Sequence, residues 1–266
     1  YERCVLGNKE NIKGVLFGDS HAQILWEPLN FELKKLGVGI LSFSGGGCPP
    51  IFWVWRRDTV NNCHEYNTAV LNYIKSNSNL EYIILSGRWT VHVERHRFNN
   101  REGGIEDGND IILDIINNGT LEINTELTRK EKLLKKIRAS IGLIDSLNRN
   151  MFVVYPVPEV GFIPAEKVIH QLLYENKKDY FPTHSYDVFL DRNKRVRETF
   201  RDMRENKISA KFFDVSDNLC SKVTRRCKTF NDNRMPLYFD DDHLSSFGAK
   251  LIAEEILQWM NYSYLK

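Results

Sequence analysis

Lys13-Gly14-Val15-Leu16-Phe17-Gly18-Asp19-Ser20-His21-Ala22 is the stretch on which the architecture turns. Residues 13–18 read as a short buried strand that stops at a Gly-Asp-Ser turn. Apolar positions Leu25, Leu29, Leu33 and Leu36 then recur at helical spacing, with Pro28 expected to kink or split that helix. A strand that passes through a tight turn into a helix is the opening of a βα unit. Ser20 therefore stands at the C-terminal edge of a sheet, where open α/β folds bind ligands. It also stands at a helix start, whose N–H groups favour negative charge. Gly18 permits the close backbone approach that such a turn needs. A serine that only caps the helix is the bland alternative.

The pattern continues outward. Val38 to Phe43 reads as a second strand, ending in the loop Ser44-Gly45-Gly46-Gly47-Cys48-Pro49-Pro50. Residues 64–76 read as helix, and 81–86 as a third strand followed by Gly87-Arg88-Trp89. The best helix spans 128–149, with Leu133, Leu134, Ile137, Ile141 and Ile144 on one side. Strands at 151–155 and 208–215 flank a charged helix at about 191–206, and a last helix at about 246–260 starts behind Ser245 or Ser246. Two stretches, about 90–127 and 157–190, read as irregular insertions. Strands alternating with helices predict a three-layer α/β/α sandwich around a mainly parallel five-stranded sheet. The expected division is one domain over residues 1–266.

Composition sets the class. A chain of 266 residues with 42% hydrophobic and 12% aromatic content has ample material for a packed core. A formal charge of +2, with both signs spread along the chain, gives no reason to expect a nucleic-acid partner. No run of about 18 apolar residues suggests a membrane span. No signal peptide is visible and the chain opens at Tyr1, so a processed or excised piece of a larger protein is expected. Cys48 and Cys63 flank one compact loop, Cys220 and Cys227 another, and no C-x-x-C pair occurs. Two local disulfides, and hence an oxidising compartment, are the natural reading; five reduced, buried cysteines are the alternative. Cys4 is left over.

A serine hydroxyl is a poor nucleophile until an imidazole takes its proton, and that imidazole needs an acid on its other nitrogen. Phe239-Asp240-Asp241-Asp242-His243-Leu244-Ser245 supplies both, three residues apart, just before the final helix. A solvated acidic turn is the bland reading of the same residues.

Together the two segments resemble the SGNH hydrolase family, which has a Gly-Asp-Ser turn after its first strand and Asp-x-x-His before its last helix. An α/β-hydrolase would show Gly-x-Ser-x-Gly, which is absent. Leu16 to Ala22, Gly47-Cys48-Pro49-Pro50, the later cysteine pair and Asp241 to Ser245 look like one branch in particular. It is the SGNH domain fused behind an acyltransferase-3 membrane domain in bacterial O-acetyltransferases. The resemblance implies an SGNH (flavodoxin-like) fold, with residues 1–12 extending towards that transmembrane domain as its partner. It implies transfer of an acetyl group through a serine acyl-enzyme to a hydroxyl of a surface polysaccharide such as lipopolysaccharide O-antigen. The place would be the periplasmic face of the inner membrane. The domain would hold no cofactor of its own, the acetyl donor, acetyl-CoA, being used by the membrane domain. A carbohydrate acetylesterase and a non-catalytic glycan-binding module are the competing expectations.

Carried over by position, Ser20 matches the nucleophile, His243 the general base and Asp240 its orienting acid, the spacing selecting Asp240 over Asp241 and Asp242. Asp19 is expected to hold the turn and His21 to point elsewhere. For the oxyanion hole the expectations are the Ser20 N–H and Gly46 or Gly47. The family's third-block Asn is missing from Ser86-Gly87-Arg88-Trp89, so the expectation is that Arg88 substitutes, that another group completes the hole, or that activity is low. Trp53, Trp55 and Trp89 are candidate sugar contacts. His92 and His96, four apart, lack the His-Glu-x-x-His order and are read as a solvated pair, so no metal site is expected.

Overall fold

Six strands build the central sheet of the computed structural model, which describes residues 4–57, 62–123, 125–176, 180–206 and 208–264. They are β1 (Cys4–Gly7), β2 (Ile12–Gly18), β3 (Gly39–Ser44), β4 (Tyr82–Ser86), β5 (Asn150–Val154) and β6 (Lys211–Phe213). Their spatial order is β1-β3-β2-β4-β5-β6, and every pairing is parallel except β1 with β3. The chain winds to one side of β2 and then to the other, so the order reverses at β2. That reversal opens a crevice at the strand's C-terminal end, where Ser20 follows.

The sixth strand is a correction to the five expected. β1 lies inside the stretch 1–12 expected to be an extension. Its four residues are too few to show a pattern alone, and its place is set by register, from Cys4 opposite Ser42 to Gly7 opposite Gly39.

Alternation along the strands sends neighbouring side chains into two separate cores. Val15, Phe17, Ile83, Leu85, Met151 and Val153 face one layer, packed by α3 (Cys63–Ser76), α5 (Glu126–Asp145) and the middle of α7 (Tyr186–Glu205). Leu16, Ile40, Ile84, Phe152 and Val154 face the other, packed by α2 (Trp26–Lys35) and α9 (Ser246–Tyr264). Leu25, Leu29 and Leu33 are fully buried there, each contributing about 1.5–3 kcal/mol by leaving water. The first helical segment divides as its proline suggested. A four-residue turn, α1 (Ser20–Gln23), precedes α2, and Pro28 falls in the first turn of α2, where no backbone donor is lost.

The stretches read as irregular carry structure of their own. Residues 90–127 contain most of α4 (Trp89–Glu94) and the strands Leu113–Asn117 and Thr120–Leu121, which form a small sheet with Val54–Arg56. Residues 157–190 contain α6 (Pro164–Glu175) and the strand Thr183–Ser185. A second small sheet joins Thr183–Ser185, Cys220–Ser221 (just after α8, Ser216–Leu219) and Arg226–Lys228. Both cysteine pairs are bonded: Cys48 to Cys63, and Cys220 to Cys227 across directly opposed strand positions. Cys4 is a free thiol. Among the described residues, no helix is long and apolar enough to cross a membrane.

Candidate active site

β2 ends against its neighbour so closely that only glycine fits. A Cβ on Gly18 would stand 1.7 Å from the Ser86 carbonyl oxygen of β4. The chain then turns at Asp19, whose Oδ1 accepts the His21 N–H at 2.9 Å and caps α1. Its Oδ2 accepts the Arg88 N–H at 2.9 Å and lies 3.3 Å from His92 Nε2. Asp19 thus ties the ends of β2 and β4 together and presents Ser20 at the rim. Burial works against its charge, but these bonds and the neighbouring imidazoles hold it below the usual carboxylate range.

The other half of the site is a pinned loop. Leu237 N donates to Thr229 O, Phe239 N to His243 O, and Ser245 N to Leu237 O, while the Ser245 hydroxyl accepts the Gly248 N–H and caps α9. Within the loop, Asp240 Oδ1 accepts the N–H groups of Asp242 at 3.0 Å and His243 at 2.7 Å. Its Oδ2 lies 2.8 Å from His243 Nδ1, and His243 Nε2 lies 2.7 Å from Ser20 Oγ. Hydroxyl, imidazole and carboxylate therefore form one continuous chain of hydrogen bonds. Burial alone would lower the His243 pKa, but the bonds to Asp240 and Asp242 and their charges raise it from 6.5 to about 10.

Ser20 and His243 open into a cleft of about 280 Å³, which Gly46, Gly47 and Arg56 also line. Gly47 takes a φ of +78°, and a Cβ there would meet the Arg56 guanidinium, which donates to the Gly47 carbonyl at 2.7 Å. Gly46 has open space on its Cβ side. Ser20, Gly46 and Gly47 thus border the same small space. The disulfide from Cys48, next in the chain, ties this glycine loop to the start of α3.

Three expectations do not survive the geometry. Arg88 does not reach an oxyanion: its guanidinium is turned inward onto Glu106, Glu159 and Asp242, with contacts between 2.5 and 3.1 Å. Trp89 is no sugar platform, because it is fully buried, its indole N–H donating to Val154 O and its ring set edge-on to Phe200. His92 is not solvated; it is 1% exposed beside Asp19, whereas His96 pairs at the surface with Asp110. The other two candidate sugar contacts, Trp53 and Trp55, are not among the residues that line the Ser20 cleft. Trp53 packs beside Phe52 under the Lys136 ammonium, and Trp55 lines a neighbouring groove of about 630 Å³ with Arg57 and Arg129.

Asp242, which the spacing sets aside in favour of Asp240, also reaches the imidazole. Asp242 is 4% exposed, and its Oδ2 meets His21 Nε2 at 2.9 Å and Arg88 Nε at 3.1 Å. Its Oδ1 lies 3.2 Å from His243 Nδ1. No local spacing signals this, because His21 and Arg88 come from two distant segments. His21, Asp242 and His243 also converge closely enough to be considered as metal ligands. Asp242 bridges the two rings, Oδ2 to His21 Nε2 and Oδ1 to His243 Nδ1.

The family model described as "SGNH domain (fused to AT3 domains)" matches residues 1–258. Among solved structures, the chain is similar to the periplasmic domain of the lipopolysaccharide acetyltransferase of Salmonella ser. Paratyphi A. The TM-score is 0.64 at 18% identity, over 97% of this chain and 85% of that one. A proposed acylhydrolase of Bacteroides fragilis NCTC 9343 is a fainter likeness: TM-score 0.49, 12% identity, over 97% of this chain and 90% of that one. No curated protein sequence matches the chain. With a central, largely parallel sheet, and with all but its last residues matched by the family model, the chain belongs to the SGNH domains that are fused to AT3 domains.

Proposed function

We propose that the domain is a serine-dependent O-acetyltransferase that esterifies a hydroxyl of a bacterial surface polysaccharide such as lipopolysaccharide O-antigen. The observation that carries this reading is the 2.7 Å contact of Ser20 Oγ with His243 Nε2, continued at 2.8 Å to Asp240. His243 removes the Ser20 proton as Oγ bonds to the acetyl carbon, and the donor's leaving group departs with that proton. A sugar hydroxyl then gives its proton to His243 as its oxygen attacks the acyl-enzyme. The ester bond to Ser20 breaks, and Oγ takes the proton back. Backbone donors of Ser20 and of Gly46 or Gly47 would hold the negative oxygen of each tetrahedral intermediate.

The choice of acetyl and of a surface glycan follows from the family's fusion to AT3 domains and from the likeness to a lipopolysaccharide acetyltransferase domain. In this reading an AT3 membrane domain uses acetyl-CoA, passes the acetyl group to Ser20 on the periplasmic side, and the domain needs no cofactor of its own. Transfer prevails over hydrolysis when the bound acceptor excludes water. Without acceptor, the open cleft leaves the acyl-enzyme to water, so the isolated domain is expected to be a weak esterase.

The test has two arms. The purified domain should release p-nitrophenol slowly from its acetate ester, and Ser20→Ala or His243→Ala should abolish the release. In cells, Ser20→Ala in the parent gene should remove the acetyl esters from surface glycans. Unchanged rates in both variants would overturn the nucleophile and base; a glycan that keeps its esters would favour a non-catalytic glycan-binding module.

A further inference from the structure

Arg88 sits at the centre of a buried cluster in which three guanidiniums, of Arg88, Arg97 and Arg192, face three carboxylates, of Glu106, Glu159 and Asp242. Glu106 comes from the first insertion, Glu159 from the start of the second, and Asp242 from the loop that carries His243. The side chains of Glu106, Glu159 and Asp242 are 5%, 3% and 5% exposed. Carboxylates so deeply placed stay charged only when paired, and each is.

Nδ1 of His243 has two carboxylates in reach, Asp240 at 2.8 Å and Asp242 at 3.2 Å. Asp240 alone satisfies the hydrogen bond and sets the ring orientation. A second acceptor adds little to orientation. What it adds is negative charge beside the imidazolium, in a place where water screens it poorly. Asp240 is 29% exposed at its side chain against 5% for Asp242, so the more strongly felt charge is the second one.

We propose that Asp242 is a second acid for His243, held against the imidazole by His21 and Arg88 and acting on it through its charge, and that Glu106 and Glu159 fix Arg88 for that task. The inference rests on His243 being the base of the proposed reaction. It assigns a role to the two insertions: they carry the glutamates that lock the catalytic loop in register with the turn after β4.

The charged and titratable groups around His243 come from several segments. His21 lies on α1; Asp240, Asp241 and Asp242 lie on its own loop. Arg88 immediately precedes α4 and His92 lies within it, and Asp19, Arg56 and Arg97 line the same cleft. Among these, Asp242 and Asp240 alone meet the ring's Nδ1. Removing the Asp242 charge should therefore make the imidazole easier to deprotonate, against the effect of every cation nearby being constant.

The test titrates His243 by two-dimensional histidine NMR in the whole domain, beside the pH profile of ester hydrolysis. Asp242→Asn, which keeps size and hydrogen-bonding capacity, should move the His243 titration down by about one pH unit or more, equal to a tenfold or greater change in its proton affinity. Glu106→Gln leaves Arg88 less neutralised and should move it the same way by less; this variant decides the matter if Asp242→Asn does not fold. A titration that stays at the wild-type pH in folded Asp242→Asn, or in Glu106→Gln, overturns the proposal. The NMR readout is independent of turnover. A domain whose Ser20→Ala variant keeps its esterase rate, but whose His243 still responds to Asp242→Asn, loses the proposed reaction and keeps this contact.

Discussion

Two aspartates two residues apart are set to different tasks by their surroundings. Asp240 uses one oxygen to hold the loop backbone and the other to hold a ring; Asp242 is sunk among His21, His243 and Arg88. Burial would push the Asp242 carboxyl up, but those three partners hold it well below the usual carboxylate range. The consequence for His243 has a definite sign. Its pKa is raised, so the charged form persists above pH 6.5, and the neutral base appears only as pH climbs towards about 10. The acidic limb of the ester-hydrolysis profile should therefore lie well above pH 6.5, measured against the Ser20→Ala blank. A limb at or below 6.5 would sink this account of the imidazole. Ser20, Asp240 and His243 were legible in the sequence because each lies in a short motif with fixed spacing. Asp242 was not, because its meaning depends on Arg88 and on glutamates brought from elsewhere in the chain.

At the scale of elements, the turn between β2 and α1 is where the fold leaves least room. The Gly18 Cβ position coincides with backbone of β4, which cannot swing aside as a flexible side chain can. Gly18→Ala should cost about 1–3 kcal/mol through overpacking. That appears as a melting temperature lower by several degrees, together with a loss of esterase activity as Ser20 shifts. A variant with wild-type melting and rate would show that the strands part without penalty. The main strands and helices were readable from period and from punctuation by glycine and proline. β1 was too short, and α6 was hidden between prolines with Ile169, Leu172 and Leu173 exposed instead of marking a core face. Arg88 and Trp89 were misread for a related reason: both follow β4 at the rim, but the backbone turns them inward, which residue type alone does not reveal.

For the molecule as a whole, two covalent ties lie outside the sheet and act on what surrounds it. Cys48–Cys63 closes a 15-residue separation beside the glycine loop, and Cys220–Cys227 a separation of 7 in the small sheet ahead of the catalytic loop. Chain entropy gives the first about 3 kcal/mol and the second about 2.5 kcal/mol. Replacing both cysteines of the first pair by serine should lower the unfolding free energy by about that amount in urea titrations. It should also slow ester hydrolysis more than loss of the second pair, since Gly46 and Gly47 lie next to Cys48. Equal rates in the two double variants would separate the glycine loop from the chemistry.

The reacting pair is also among the most widely separated contacts in the chain: Ser20 and His243 stand 223 residues apart. At a synthesis rate of about 5–20 residues per second, roughly 11 to 45 seconds pass between the ribosome's addition of the one and of the other. Throughout that interval the nascent polypeptide carries an alcohol with no base, inert towards any ester it meets. A message cut short anywhere between the two codons yields a product that is silent instead of half-active.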